Sequence, residues 1–210
     1  MRAVYVGGFG NGRQCAERVA LALRKHYSDV TPYTFSYAMS HRDEVREALC
    51  GADAITHSAG LLAVIGTAPN RITAFGAPIP TPVRQFIGRT ATKTLNMHKP
   101  GIGVQSSDDI ATVRLYESSS CAELLINPLD NFGRLGKISR FDAVAAAITA
   151  TQNGTPISLI YTHGDEFFQP TEEHALIAQS AGVGFVRLPG AHDELVLRPE
   201  AMLTAAGFGS

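Results

Sequence analysis

The alternation of short apolar segments with longer amphipathic ones constrains the fold of this chain more than any other feature. Residues 3–6 are apolar and lead into a glycine-rich loop at 7–12, and between Arg13 and Tyr27 apolar residues recur at helical spacing. Similar strand-and-helix pairs follow. Because a helix between two strands usually carries the chain to a parallel neighbour, this pattern predicts an α/β fold with a mostly parallel sheet covered by helices on both faces.

The predicted elements fall into two groups around a central segment of different character. Strands are predicted at 1–6, 30–37, 53–56, 71–75, 157–161 and 184–188, and helices at 13–27, 42–49, 59–68, 139–151, 171–181 and about 194–205. Between Gly76 and Lys137 the alternation stops and prolines accumulate. Because a structureless loop of this length is uncommon in a compact domain, we expect a helical cap at about 78–138, inserted into a single domain that covers residues 1–210.

Charge and cysteine content exclude several classes of protein. The 18 basic and 19 acidic side chains give a formal net charge of −1, so no overall field attracts nucleic acid. No apolar stretch is long enough to span a membrane, and the N-terminal apolar run is too short for a signal peptide. The three cysteines, Cys15, Cys50 and Cys121, are widely spaced, which argues against a disulfide framework. We therefore expect a cytoplasmic protein.

Ser58 is a candidate nucleophile because it lies in the turn between a predicted strand and an apolar helix. In a parallel sheet such a turn can hold a serine on a strained backbone, with its hydroxyl exposed at the carboxyl edge. Gly60 supplies one of the small neighbours that this turn needs, whereas Thr56 stands where the motif Gly-x-Ser-x-Gly has its first glycine. On this string alone, Ser58 as the N-cap of an ordinary helix is an equally good interpretation.

Two later loops supply the partners that a serine nucleophile requires. A serine hydroxyl needs a base within hydrogen-bonding reach and an acid that fixes the tautomer of the base. Asp165 follows a glycine directly after the strand that ends at Tyr161, and His192 follows the next strand. Ser58, Asp165 and His192 are thus predicted at one edge of the sheet, in the chain order of one hydrolase fold.

In these motifs the sequence resembles the α/β-hydrolase superfamily, particularly its small esterase-like members with a helical cap. The resemblance covers nearly the whole chain. The glycine loop is similar to the oxyanion loop of that family, and the nucleophile, acid and histidine turns correspond to 57–60, 164–170 and 190–194. Because the chain begins at what would be the third strand of the family, the resemblance implies a reduced sheet of about six strands.

The resemblance also implies an activity and a set of roles. Ser58 would be the nucleophile, His192 the base and Asp165 the acid, with the backbone N–H groups of Phe9 and Ala59 as the oxyanion hole. The expected reaction is hydrolysis of a small carboxylic ester or thioester through an acyl-enzyme, without a cofactor or metal. The expected cap carries apolar side chains that would line the substrate pocket, namely Phe86, Ile87, Leu95, Met97, Leu124 and Leu125.

Three other functions remain open from the sequence. The first is a nucleotide-binding α/β protein, although Arg13 stands where the dinucleotide motif that starts at Gly8 requires glycine. The second is a metal site, although His57, His163 and His192 lie in separate loops without a metal-ligand spacing. The third is a binding protein that keeps the fold without catalysis.

Neighbouring residues compete for two of the assigned roles. Glu166 and Asp193 flank the chosen acid and base, and either carboxylate is an alternative to Asp165. His57 precedes the nucleophile, and we expect it to be a positioned neighbour rather than the base. His163 is expected to be a turn or pocket residue.

Overall fold

The computed structural model describes residues 1–82, 84, 85, 88 and 128–209. In this part of the chain six strands form one parallel sheet, in the order β2-β1-β3-β4-β5-β6. The strands are β1 (Arg2–Val6), β2 (Asp29–Tyr33), β3 (Asp53–His57), β4 (Arg71–Phe75), β5 (Ile157–Gly164) and β6 (Gly184–Ala191). The predicted mostly parallel sheet of about six strands is therefore confirmed.

The helices connect the strands and cover both faces of the sheet. They are α1 (Arg13–Leu23), α2 (Phe35–Ser40), α3 (Arg42–Leu49), α4 (Gly60–Val64), α5 (Pro128–Arg140), α6 (Ala143–Gln152), α7 (Glu172–Ser180), α8 (Glu194–Leu197) and α9 (Pro199–Ala205). No helix among the described residues is long and apolar enough to cross a membrane.

Strand β1 shows how the core is divided between the two faces. Val4 and Val6 belong to a buried cluster on one face, whereas Ala3 and Tyr5 belong to a second cluster that contains residues of α1 and α9. Successive side chains of a strand point to opposite faces, so a strand covered on both sides must be apolar throughout. This requirement explains the continuous apolar run at the start of the sequence.

The structure corrects the predicted strand at 30–37. Strand β2 ends at Tyr33, and the chain then turns into α2, where the Thr34 side chain accepts a hydrogen bond from the N–H of Tyr37. Phe35 and Ala38, three residues apart, are fully buried. The alternation of aromatic and hydroxyl residues indicated a strand, but the N-cap at Thr34 and the burial of one helical face favour a helix.

Two predicted helices are each divided in the structure. The segment at 139–151 contains the end of α5 and all but the last residue of α6, because Asp142 caps a new helix by accepting from the N–H groups of Val144 and Ala145. The segment at 194–205 is divided before Pro199, whose ring cannot continue the preceding helix.

The expected cap at about 78–138 lies mostly outside the described residues. Of its central part, 83–127, the structure describes only residues 84, 85 and 88, and the six apolar residues expected to line the pocket are not among them.

Replacing Gly60 with alanine should destabilise the protein. A Cβ atom at Gly60 would lie 2.3 Å from the carbonyl oxygen of Val6 and 3.0 Å from that of Gly7, and both are backbone atoms that cannot move aside alone. We expect Gly60→Ala to lower the free energy of unfolding by about 3 kcal/mol, measured by urea denaturation.

Gly133→Ala is the matched control, because a Cβ atom there would meet no described atom within 4 Å. Gly133 lies inside α5, so alanine should leave the stability unchanged or raise it by up to about 1 kcal/mol. Equal stability of the two variants would contradict the close approach of α4 to β1.

Candidate active site

Ser58 lies on a left-handed backbone in the turn between β3 and α4. Its φ angle is 51°, and no other non-glycine residue in the described part of the chain has a positive φ. Its N–H donates to the carbonyl oxygen of Phe75 at 2.7 Å, which fixes the turn against the end of β4. A left-handed conformation of a residue with a side chain costs roughly 1–3 kcal/mol and persists only where the surrounding structure imposes it.

The geometry contradicts the interpretation of Ser58 as an ordinary N-cap. Helix α4 begins at Gly60 and its N-cap residue is Ala59, with no capping hydrogen bond from that side chain. Ser58 therefore stands one residue before the cap, in the sharp strand-to-helix turn in which a serine hydroxyl is presented at the carboxyl edge of a sheet.

Small neighbours make room for this turn. A Cβ atom at Gly8 would lie 2.8 Å from the Cβ of Ser58, so the glycine loop approaches the serine as closely as atoms allow. Thr56, which stands where the motif has glycine, is fully buried and is paired in the sheet with Val6 and Ala74. The threonine is therefore accommodated inside β3.

Asp165 and His192 form a buried pair. Nδ1 of His192 lies 2.8 Å from Oδ2 of Asp165, and the two residues are 5% and 0% exposed. Oδ1 of Asp165 accepts from the N–H groups of Phe167 and Phe168, both at 2.8 Å. Because a carboxylate only accepts, Nδ1 of His192 carries the proton, and Nε2 is the basic nitrogen that can take one up.

The imidazole of His192 lies in a narrow slot. The rings of Phe167 and Phe168 meet it edge-on, with centroid distances of 4.9 and 5.4 Å. On another side Gly76, with a φ of 56°, directly follows β4, and a Cβ atom there would lie 2.9 Å from Nδ1 and Cε1 of the ring. The orientation of the imidazole is therefore restricted by packing as well as by Asp165.

The main chain of His192 is bound as well. Its N–H donates to Oε2 of Glu166 at 3.2 Å, and its carbonyl oxygen accepts from Nε2 of His57 at 3.0 Å. Nδ1 of His57 lies 3.0 Å from Nδ2 of the Asn11 side-chain amide. These contacts connect the glycine loop with the loops that follow β3, β5 and β6.

The three acidic residues near the site make different contacts. Asp165 contacts the imidazole of His192, whereas Glu166 contacts the main chain of His192 and Asp193 lies 3.8 Å from His57. Ser58 directly follows His57, whose ring lies 5.1 Å from that of His192. The hydrogen bond from the Ser58 hydroxyl to Nε2 of His192 stays a prediction.

Ala59, Phe9 and His163 are the remaining candidate residues. Ala59 is buried directly after Ser58, and Phe9 follows Gly8 and packs edge-on against Phe35 with centroids 6.0 Å apart. Their role as oxyanion donors stays a prediction. His163 is exposed near the end of β5.

Sequence reasoning missed the roles of Asn11 and Gly76. The N-cap of α1 is Gly12, and Asn11, one residue earlier, is buried with its side-chain amide on His57. A polar residue in the same loop as the glycines was the available signal. Gly76 carried a weaker signal, since it is only the first residue after a predicted strand.

The structure brings together one group of possible metal ligands, which the sequence spacing did not indicate. Ligand atoms of His57, His192 and Asp193 lie within 4.8 Å of one another among the described residues. Both ring nitrogens of His57 and Nδ1 of His192 are already in hydrogen bonds. A metal ion would have to break contacts that hold the loops together, so the group fits a hydrogen-bonded cluster better than a ligand set.

Comparison with known proteins supports the fold but not a specific activity. No protein-family model matches the sequence, and no match was found among curated proteins. Among solved structures, a hydrolase from Pseudomonas aeruginosa PA01 is similar over 98% of this chain and 89% of its own length, with a TM-score of 0.66 and 18% identity.

Two further similar structures are those of an enol-lactonase and a thioesterase domain. The enol-lactonase from Burkholderia xenovorans LB400 has a TM-score of 0.66 and 14% identity, over 98% of this chain and 89% of that one. The thioesterase domain from the curacin biosynthetic pathway has a TM-score of 0.58 and 14% identity, over 98% and 90%. At these identities the likeness shows the fold alone, and the chain therefore has the α/β-hydrolase fold that its motifs resemble.

Replacing Asp165 with asparagine should reverse the tautomer of His192. Asparagine can still accept from the N–H groups of Phe167 and Phe168, but its NH2 group would face Nδ1 of the imidazole and require that nitrogen to accept. We expect the proton to move from Nδ1 to Nε2, measured by the 15N chemical shifts of the ring.

Asp142→Asn is the matched control, because Asp142 caps α6 and makes no described contact with the site. An unchanged Nδ1–H tautomer in the Asp165→Asn variant would contradict the assigned pair.

Proposed function

We propose that this chain is a serine hydrolase that cleaves a small carboxylic ester or thioester through an acyl-enzyme intermediate. The observation that carries the proposal is the strained turn at Ser58, with its φ of 51°, next to the buried pair of Asp165 and His192. A left-handed serine between a strand and a helix is costly, and presentation of a nucleophilic hydroxyl is what such a turn achieves.

The first half of the reaction forms the acyl-enzyme. Ser58 Oγ attacks the carbonyl carbon of the ester while Nε2 of His192 takes the hydroxyl proton, and Asp165 stabilises the resulting imidazolium through Nδ1–H. The tetrahedral intermediate then collapses. The bond to the alcohol or thiol breaks, and the leaving group takes the proton from Nε2.

The second half releases the acid. Water gives a proton to Nε2 of His192 and attacks the acyl carbon, and the bond to Ser58 Oγ breaks as that oxygen recovers the proton. The N–H groups of Phe9 and Ala59 would donate to the oxyanion in both halves. The glycine at position 8 supports this assignment, because it lets the loop that carries Phe9 lie against the Ser58 side chain.

The substrate class is proposed from the chemistry of the triad and from the neighbours in structure. An enol-lactonase and a thioesterase domain share the fold, and lactones and thioesters undergo the same acyl transfer as esters. The formal net charge of −1 offers no general attraction to a polyanionic substrate. A small, weakly charged ester or thioester fits these observations best.

Replacing Ser58 with alanine should abolish ester hydrolysis without loss of the fold. Without the hydroxyl no acyl-enzyme forms, and kcat for a p-nitrophenyl ester should fall by about 10⁴-fold or more. Alanine and serine each carry a single Cβ and tolerate the left-handed turn about equally, so thermal unfolding followed by circular dichroism should change little.

Covalent labelling adds a readout that does not need the natural substrate. A fluorophosphonate probe should modify Ser58, identified by peptide mass spectrometry, in the wild-type protein and in the Ser180→Ala control. Ser180 lies exposed at the end of α7, far along the chain from the site. A Ser58→Ala variant that hydrolyses the ester as fast as the wild type would reject Ser58 as the nucleophile. A wild-type protein that neither hydrolyses the ester nor reacts with the probe would favour a non-catalytic binding protein.

A further inference from the structure

We infer that His57 is a positioning residue that holds the general base in place through the main chain of His192. The inference rests on the proposed function for its catalytic meaning. The hydrogen bond by which His57 holds the main chain of His192 is observed directly and does not depend on that function.

The neighbours of His57 determine its tautomer. The His57 ring is 1% exposed, and Nδ2 of the Asn11 side-chain amide lies 3.0 Å from Nδ1 of the ring. An amide nitrogen can only donate, so Nδ1 accepts and the proton must be on Nε2. Nε2 lies 3.0 Å from the carbonyl oxygen of His192, which can only accept. Both partners therefore require the same neutral tautomer.

The main chain of His192 is held from two sides by neighbours of the other two triad residues. His57 precedes Ser58 and binds the carbonyl oxygen, while Glu166 follows Asp165 and binds the N–H. The nucleophile turn thus carries both the hydroxyl and the group that fixes the base. The positions of Ser58 and His192 are coupled through one side chain.

Asp193 is an acidic neighbour of His57. The carboxylate of Asp193 lies 3.8 Å from Nε2, on the same side as the His192 carbonyl. Burial and Asp193 raise the pKa of the Cys15 thiol to about 11, and burial raises the pKa of the Tyr5 hydroxyl further, so neither carries charge near neutral pH. The bond from His57 to His192 is assigned from the positions of the two hydrogen-bond partners of the ring.

A pair of amide variants separates the two contacts of His57. The amide of Gln reaches the position of Nε2, so His57→Gln keeps a donor for the His192 carbonyl oxygen. The amide of Asn reaches only the position of Nδ1, so His57→Asn keeps the contact with Asn11 and loses that donor. Both variants place a neutral amide in the same buried space, which makes each the control for the other.

Displacement of a catalytic group by about 1 Å can cost about 10²-fold in rate. We therefore expect kcat for a p-nitrophenyl ester to fall by about 10²-fold in His57→Asn, with KM nearly unchanged, and His57→Gln to recover most of that loss. The acidic limb of the pH profile of kcat/KM, which reports the free base, should move in His57→Asn and stay in place in His57→Gln.

A second measurement does not require activity. The proton resonance of Nδ1–H of His192, assigned through Asp165→Asn, should broaden by exchange with solvent in His57→Asn and remain sharp in His57→Gln. This readout separates failure of the inference from failure of the proposed function, because it tests the position of His192 even if no ester is hydrolysed.

Equal behaviour of the two variants in the pH profile and in the resonance would overturn the inference, whether both lose activity or both retain it. Equal losses together with equal falls in thermal stability would show that His57 only fills space. Wild-type behaviour in both would show that the bond to the His192 carbonyl oxygen is dispensable.

Discussion

The buried carboxylate of Asp165 is the constraint on which the site depends. A charge without solvent exposure is costly unless hydrogen bonds replace its hydration. Asp165 obtains these bonds from the imidazole of His192 and from the N–H groups of Phe167 and Phe168. The turn after β5 and the loop after β6 are therefore held in one arrangement, because separation of the pair would leave a buried charge with fewer partners.

The parallel sheet brings these loops together. β3, β4, β5 and β6 are adjacent and run in the same direction, so the residues after their last positions meet at one edge. Glycines allow the close approach that follows: Gly8 beside Ser58, and Gly76 beside the imidazole of His192. A side chain at either glycine would occupy the space of a residue in the proposed triad.

The sequence predicted the parts of this arrangement that depend on local pattern. The strands and the order of Ser58, Asp165 and His192 followed from apolar periodicity and from turns after strands, whereas the aromatic alternation near Tyr37 was misleading because a capped helix can bury one side of it. The bond between His57 and the His192 carbonyl joins residues 135 positions apart. Local pattern carries no information on such a contact, since it depends on how two loops meet.

The turn at Ser58 contains two features that lower the stability of the fold near the site. The left-handed backbone of Ser58 has a cost, and the hydroxyl oxygen of Thr56, two residues earlier, is buried without a hydrogen-bond partner among the described residues. A buried polar atom left unpaired costs about 1–3 kcal/mol. Two unfavourable features so close together persist only because the packed sheet on either side of β3 fixes the chain. The packed core thus supplies the rigidity that positions the hydroxyl for chemistry, whereas the turn itself lowers the free energy of unfolding.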